Sequence, residues 1–93
     1  MSLDIYTKDS CPVCKRAKEL LDSENIIYRE IDVTHDSAKE AEMIKRGTER
    51  MVPQIFLNGH LLGGFDELSQ IRGKGGLKKA LRAKELDILL EGN

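Results

Sequence analysis

Leu3-Asp4-Ile5-Tyr6-Thr7-Lys8-Asp9-Ser10-Cys11-Pro12-Val13-Cys14 holds a strand, a loop and the start of a helix in one short run. Leu3, Ile5 and Thr7 alternate, the period of a strand with one face buried. Lys8-Asp9-Ser10 is a polar loop. Pro12 fits the first position of a helix, where its missing N–H would have no partner in any case. From Val13 to about Ser23, Val13, Ala17, Leu20 and Leu21 recur at helical spacing. The β-branched run Ile26-Ile27-Tyr28-Arg29-Glu30-Ile31-Asp32-Val33 then reads as a second strand. A strand, a crossover helix and a strand imply parallel pairing, because the connection must return the chain to the end it started from.

Working outward from that unit, Ser37-Ala38-Lys39-Glu40 has the capping-box pattern and predicts a helix from Asp36 or Ser37. Ala38, Ala41, Met43 and Ile44 form its apolar face, and Gly47 is the expected stop. Pro53-Gln54-Ile55-Phe56-Leu57 is strand-like. Asn58-Gly59 tolerates the positive φ of a tight hairpin, so His60-Leu61-Leu62-Gly63 returns as an antiparallel strand. Gly63-Gly64 breaks it, Phe65 to about Arg72 forms a short helix, and Leu77 to Leu90 a terminal one. The predicted order is β-α-β-α-β-β-α-α, a mixed four-stranded sheet flanked by helices in the α/β class. One domain over residues 1–93 is expected, since chains divide only at greater length.

Composition narrows the function classes. Fifteen basic and sixteen acidic residues are interspersed and the net charge is −1, which argues against a nucleic-acid surface. Met1-Ser2-Leu3-Asp4 has no basic start or long apolar run, and no stretch approaches the roughly 20 apolar residues of a membrane span. Two cysteines are too few for a disulfide-stapled secreted scaffold. A cytoplasmic, monomeric protein without membrane or nucleic-acid partners is expected. Trp is absent and aromatics make up 4%, so Leu, Ile, Val and Met are expected to carry the core.

Cys11-Pro12-Val13-Cys14 stands where the loop after the first strand enters the first helix. A thiolate at a helix N-terminus faces unpaired backbone N–H groups and the positive end of the macrodipole, and both favour the anion. Lys8 and Lys15 add positive charge nearby in sequence. Thiolate is the species that attacks a disulfide, so Cys11 is the candidate nucleophile. Cys14, one turn on along the same face, is the candidate resolving cysteine that closes a Cys11–Cys14 disulfide. A Cys-x-x-Cys pair is also half of a structural zinc site, with His35 and His60 as the remaining donors, but their spacing matches no common finger and no bound metal is expected. Inert buried thiols are the other reading; Pro12, Lys8 and Lys15 speak against it.

With these residues in place, the chain resembles glutaredoxins, specifically the bacterial dithiol type, within the thioredoxin-fold superfamily. The resemblance covers about residues 3–85 and rests on features in fixed order: Tyr6 to Cys14, then Met51-Val52-Pro53, Ile55-Phe56-Leu57-Asn58-Gly59 and Gly63-Gly64-Phe65-Asp66. It implies a thioredoxin-like fold and a glutathione-dependent thiol-disulfide oxidoreductase, with glutathione as co-substrate and glutathionylated or disulfide-bonded proteins as partners. It also implies that Pro53 is a cis-proline facing the cysteines and that the Val52 backbone pairs with glutathione's cysteine. Gly64, Phe65 and Asp66 correspond to the segment holding the γ-glutamyl end, and Lys8 to a residue drawing the glycine carboxylate; Val13 and Met51 complete the groove.

The chain departs from the family pattern at three of these places. The third motif residue is usually Tyr and here is Val13; the residue before Val52 is usually Thr and here is Met51. Thirteen residues before Pro53, where the family commonly has Gln, Arg or Lys for the glycine carboxylate, stands Glu40. Weaker glutathione binding than in a typical member is the expectation. Two alternatives stay open: a glutaredoxin-like redoxin reduced by a flavin-dependent thioredoxin reductase, and a [2Fe–2S] carrier, against which Pro12 weighs.

Overall fold

A computed structural model describes residues 1–73 and 75–91 of the chain. Its elements run β1 (Leu3–Thr7), α1 (Pro12–Ser23), β2 (Arg29–Asp32), α2 (Ser37–Gly47), β3 (Gln54–Leu57), β4 (His60–Gly63), α3 (Phe65–Ile71) and α4 (Leu77–Glu91), the expected order. The sheet order is β2-β1-β3-β4. β1 pairs parallel with β2, Asp4 opposite Arg29 and Thr7 opposite Asp32. β1 pairs antiparallel with β3, and β3 with β4 across the Asn58-Gly59 turn, whose residues both have positive φ.

Both faces of the sheet are covered. On one, Leu3, Ile5, Ile55 and Leu57 pack against Ala17 and Leu21 of α1, Leu68 of α3, and Leu77 and Leu81 of α4. On the other, Tyr6, Ile31 and Val33 pack against Met43 of α2. Because β1 is buried on both faces, Tyr6 is as inaccessible as its neighbours. Tyr6 and Phe56 are the largest fully buried side chains, so the core does rest partly on aromatics, contrary to the compositional expectation. Their rings lie 5.7 Å apart, and the Arg46 guanidinium sits 4.2 Å from the Phe56 centroid while donating to the Tyr6 hydroxyl at 2.8 Å.

Three local expectations change. The second strand starts at Arg29, not Ile26, because Ile26 closes the end of α1. Asn25 takes φ 55°, its N–H bonds the Asp22 carbonyl, and the Ile26 N–H bonds the Leu21 carbonyl. This is the Schellman arrangement, with Ile26 and Leu21 buried in the same apolar cluster; Ile27 is left 87% exposed. At α2 the cap is Asp36, whose carboxylate accepts from the Lys39 N–H at 3.0 Å, so Ser37 and Glu40 form no capping box. Gly47 is the last helical residue rather than the left-handed stop; that conformation falls on Thr48, φ 62°. Gly47 is glycine for another reason, since a Cβ there would overlap Gln54 Oε1.

Candidate functional site

Cys11 is the N-cap of α1. Its extended backbone (φ −108°, ψ 102°) hands over to Pro12 at the first helical position, and its sulfur accepts the Cys14 N–H at 3.1 Å. The sulfur thus occupies the place that a Ser or Asp oxygen takes at ordinary helix starts, satisfying an otherwise orphaned donor. The sulfur thereby sits at the N-terminal end of the α1 macrodipole. Cys11 is partly exposed, and both cysteines are free thiols.

Cys14 faces inward and is 1% exposed. Burial, then the hydrogen bond with Cys11, push its thiol up to about 12, against smaller opposing contributions from the Lys8 backbone and the Lys18 charge. The two thiols are therefore unlike: one accessible at a helix terminus, the other protonated and enclosed.

The loop before β3 approaches from the other side. The Val52–Pro53 bond is cis, as the resemblance implied, and the Val52 carbonyl lies 3.9 Å from the Cys11 sulfur. Gln54, 4% exposed, holds this loop from beneath, its side-chain amide donating to the Glu49 and Met51 carbonyls at 3.1 and 3.0 Å. Here sequence reasoning missed a positioning residue. The available signal was an amide at the head of an apolar strand, a residue type that is mostly exposed.

Beside this loop runs a groove of about 600 Å³ lined by Val13, Met51, Val52, Pro53, Gly64, Phe65 and Asp66, all named from the sequence. Leu61, Glu49, Gln54, Gly63 and Glu67 line it as well and were not anticipated. Gly64 is the N-cap of α3, and the Glu67 carboxylate accepts its N–H at 2.6 Å. Asp66 lies in the first turn of α3 and is exposed. A Cβ at Gly64 would come within 3.2 Å of the Pro53 carbonyl oxygen, which brings the α3 start close to the cis-proline loop.

Lys8 stands apart from that lining. Its ammonium pairs with the Glu40 carboxylate at 3.2 Å, so the two residues that the sequence set against each other are bonded together. Among the described residues, no group of three or more His, Cys, Asp or Glu side chains is placed to hold a metal ion, and no helix is long and apolar enough to cross a membrane.

The glutaredoxin family model matches residues 3–62. Glutaredoxin 3 of Escherichia coli (strain K12) is 42% identical over 81 residues, covering 87% of this chain and 98% of that protein. Glutaredoxin 1 of Rickettsia typhi is 44% identical over 82 residues, 86% of this chain and 79% of that protein. Among solved structures, a buckwheat glutaredoxin–glutathione complex superposes with TM-score 0.74 at 27% identity, covering 87% of this chain and 76% of that one. Glutaredoxin from Brucella melitensis gives 0.71 at 36% identity, over 87% and 88%. The sheet order, the paired thiols at the α1 start and these relatives agree: the chain has the thioredoxin-like fold and belongs to the glutaredoxin family, whose members are glutathione-dependent thiol-disulfide oxidoreductases.

Proposed function

We propose that this chain is a dithiol glutaredoxin in which Cys11 attacks and Cys14 resolves, acting as a cytoplasmic monomer. The observation that carries the reading is the position of the Cys11 sulfur, accepting a backbone N–H at 3.1 Å at the α1 terminus, partly exposed and facing the Val52–Pro53 loop. With a glutathionylated protein, the Cys11 thiolate attacks the glutathione sulfur, the protein thiolate leaves and takes up a proton, and Cys11 holds glutathione. A second glutathione thiolate attacks that sulfur, giving oxidised glutathione and free Cys11. With a protein disulfide, Cys11 forms a mixed disulfide with one protein sulfur, and the other protein sulfur leaves as thiolate. Cys14 then loses its proton and attacks the Cys11 sulfur, which releases the reduced protein and leaves Cys11–Cys14 oxidised.

The asymmetry of the two thiols supports this order. Part of what holds Cys14 protonated is its hydrogen bond and charge interaction with Cys11. Both end when Cys11 is tied up in a mixed disulfide, so the resolving thiol becomes easier to ionise at the stage that needs it. In the groove, Val52 supplies backbone beside glutathione's cysteine. The backbone N–H of Phe65 at the α3 start receives the γ-glutamyl carboxylate and Asp66 its ammonium, with Gly64 giving the ligand room to approach. Val13, Met51 and Pro53 form the walls, and Lys8 faces the glycine end.

The test compares reductants on a glutathione mixed disulfide. NADPH, glutathione reductase and glutathione should support fast turnover, and NADPH with thioredoxin reductase should not. Turnover confined to the second mixture would make the chain a redoxin, the reading that the Lys8–Glu40 pair favours because it occupies the cation at the glycine end. Cys14→Ser should abolish reduction of protein disulfides while sparing most deglutathionylation; equal loss of both would contradict the resolving role.

A further inference from the structure

The groove beside Cys11 carries more carboxylates than the one, Asp66, that glutathione's single ammonium would engage. Three carboxylate side chains line it, Glu49, Asp66 and Glu67, and all three residues are exposed. Among the described residues its lining includes no Lys or Arg. Lys8, Lys15, Arg16 and Arg50 are all absent from the lining, Arg50 although it stands between the lining residues Glu49 and Met51 in the sequence. Lys8 pairs with Glu40 at 3.2 Å, Arg16 stands over the Phe65 ring at 5.5 Å, and Lys15 is exposed on α1 away from the lining. The same lining holds exposed apolar side chains, Met51 at 70% and Leu61 at 46%. Carboxylates and apolar side chains in one groove, with Glu67 also accepting the Gly64 N–H, suit side chains that carry a cation on a methylene stem, since the stem covers apolar surface while the head reaches a carboxylate.

We propose that this groove selects protein substrates whose reacting cysteine is flanked by Lys or Arg. The inference rests on Cys11 being the attacking cysteine beside the groove. Charge complementarity of this kind acts mainly on the rate of encounter and on discrimination between partners, and it weakens with salt. Glu49 is the residue that distinguishes this selection from glutathione recognition, because it lines the groove without belonging to the segments that correspond to the glutathione site.

Two peptides of equal length test it, each with one cysteine in a disulfide with 2-mercaptoethanol, flanked by lysines in one and by glutamates in the other. The Cys11 thiolate attacks the peptide's sulfur and mercaptoethanol leaves as a thiolate that takes a proton from water. Excess dithiothreitol then reduces the mixed disulfide, releasing the peptide thiol and becoming the cyclic disulfide, so glutathione takes no part. At low salt the lysine peptide should react about tenfold faster in kcat/KM, an advantage that shrinks at high salt. Glu49→Lys should cut the ratio severalfold, and Glu49→Gln should cut it less. Equal rates for the two peptides, a preference for glutamate, or a ratio unmoved by Glu49→Lys would overturn the proposal and leave the Cys11 assignment standing. Turnover of neither peptide would instead overturn Cys11 as the attacking residue beside this groove, and the selection with it.

Discussion

At the level of single residues, Glu40 and Cys14 each carry a prediction. Glu40 was legible as an anomaly in the sequence, a carboxylate where a carboxylate is to be received. Its bond to Lys8 was not, because nothing in sequence spacing brings a loop residue after β1 to the first turn of α2. Glu40→Gln should release Lys8 and raise glutathione-dependent kcat/KM about fivefold, the size of one exposed ion pair. A lower or unchanged value in the coupled assay would show that the pair does not obstruct glutathione. Cys14 makes a second prediction through its raised thiol. Between about pH 7 and 9, reduction of a protein disulfide should climb more steeply than deglutathionylation, because only the former requires Cys14 to ionise. Parallel pH–rate profiles would count against Cys14 as the resolving residue. The pair Cys11 and Cys14 was plain from the sequence because a helix start is a local feature. Glu49, Leu61 and Glu67 were not, since they reach the groove from three separate segments.

Among the elements, periodicity placed every helix and strand, and the errors fell where a side chain or turn had a second duty. Ile26 has the composition of a strand but closes α1. Asp36 and Ser37 are both good caps, and the choice went to Asp36 because its carboxylate reaches the Lys39 N–H while Glu40 turns to Lys8. Asp36→Ala should therefore destabilise the protein by about 1 kcal/mol, and Ser37→Ala by far less, as read from urea unfolding. The reverse ranking would restore the capping-box assignment. Helix α4 has a less usual start: both oxygens of Glu24, just beyond α1, accept N–H groups from Leu77 and Lys78 at 2.7 and 3.0 Å. No local pattern announces a cap supplied from 53 residues earlier in the chain.

For the molecule as a whole, the sequence specified the topology because a crossover helix and an Asn-Gly hairpin leave few ways to pair four strands. It did not reveal the ties across the sheet. Glu30 on β2 accepts from Lys18 of α1 at 2.9 Å and from Thr7 of β1 at 2.7 Å. Burial alone would raise the Glu30 carboxyl, but those hydrogen bonds and the Lys18 charge outweigh it and hold the group below the usual carboxylate range. A carboxyl lowered on folding stabilises the native state above its unfolded value, near pH 4.3, and that contribution is lost as pH falls through its lower folded value. The melting temperature should drop as pH falls from about 5 toward 3, and Glu30→Gln should flatten that slope while lowering stability at pH 7. An unchanged slope would mean that Glu30 pairs equally well in the unfolded chain.

The sheet also has two outer margins, and they differ. β2 lies at one, a four-residue strand whose Arg29, Glu30 and Asp32 are all exposed. Short length and mixed charge are what keep an unpaired strand from acting as a template for another chain. β4 lies at the other, where the register shifts at Ile55 and Phe56 and the strand ends at Gly63 with φ 126°, which interrupts the ladder within one hairpin. A glutaredoxin that acts on disulfide-bonded proteins, as proposed above, must expose backbone at its groove without inviting those proteins to join its sheet. Here that protection against co-aggregation is written into the two four-residue strands at its margins.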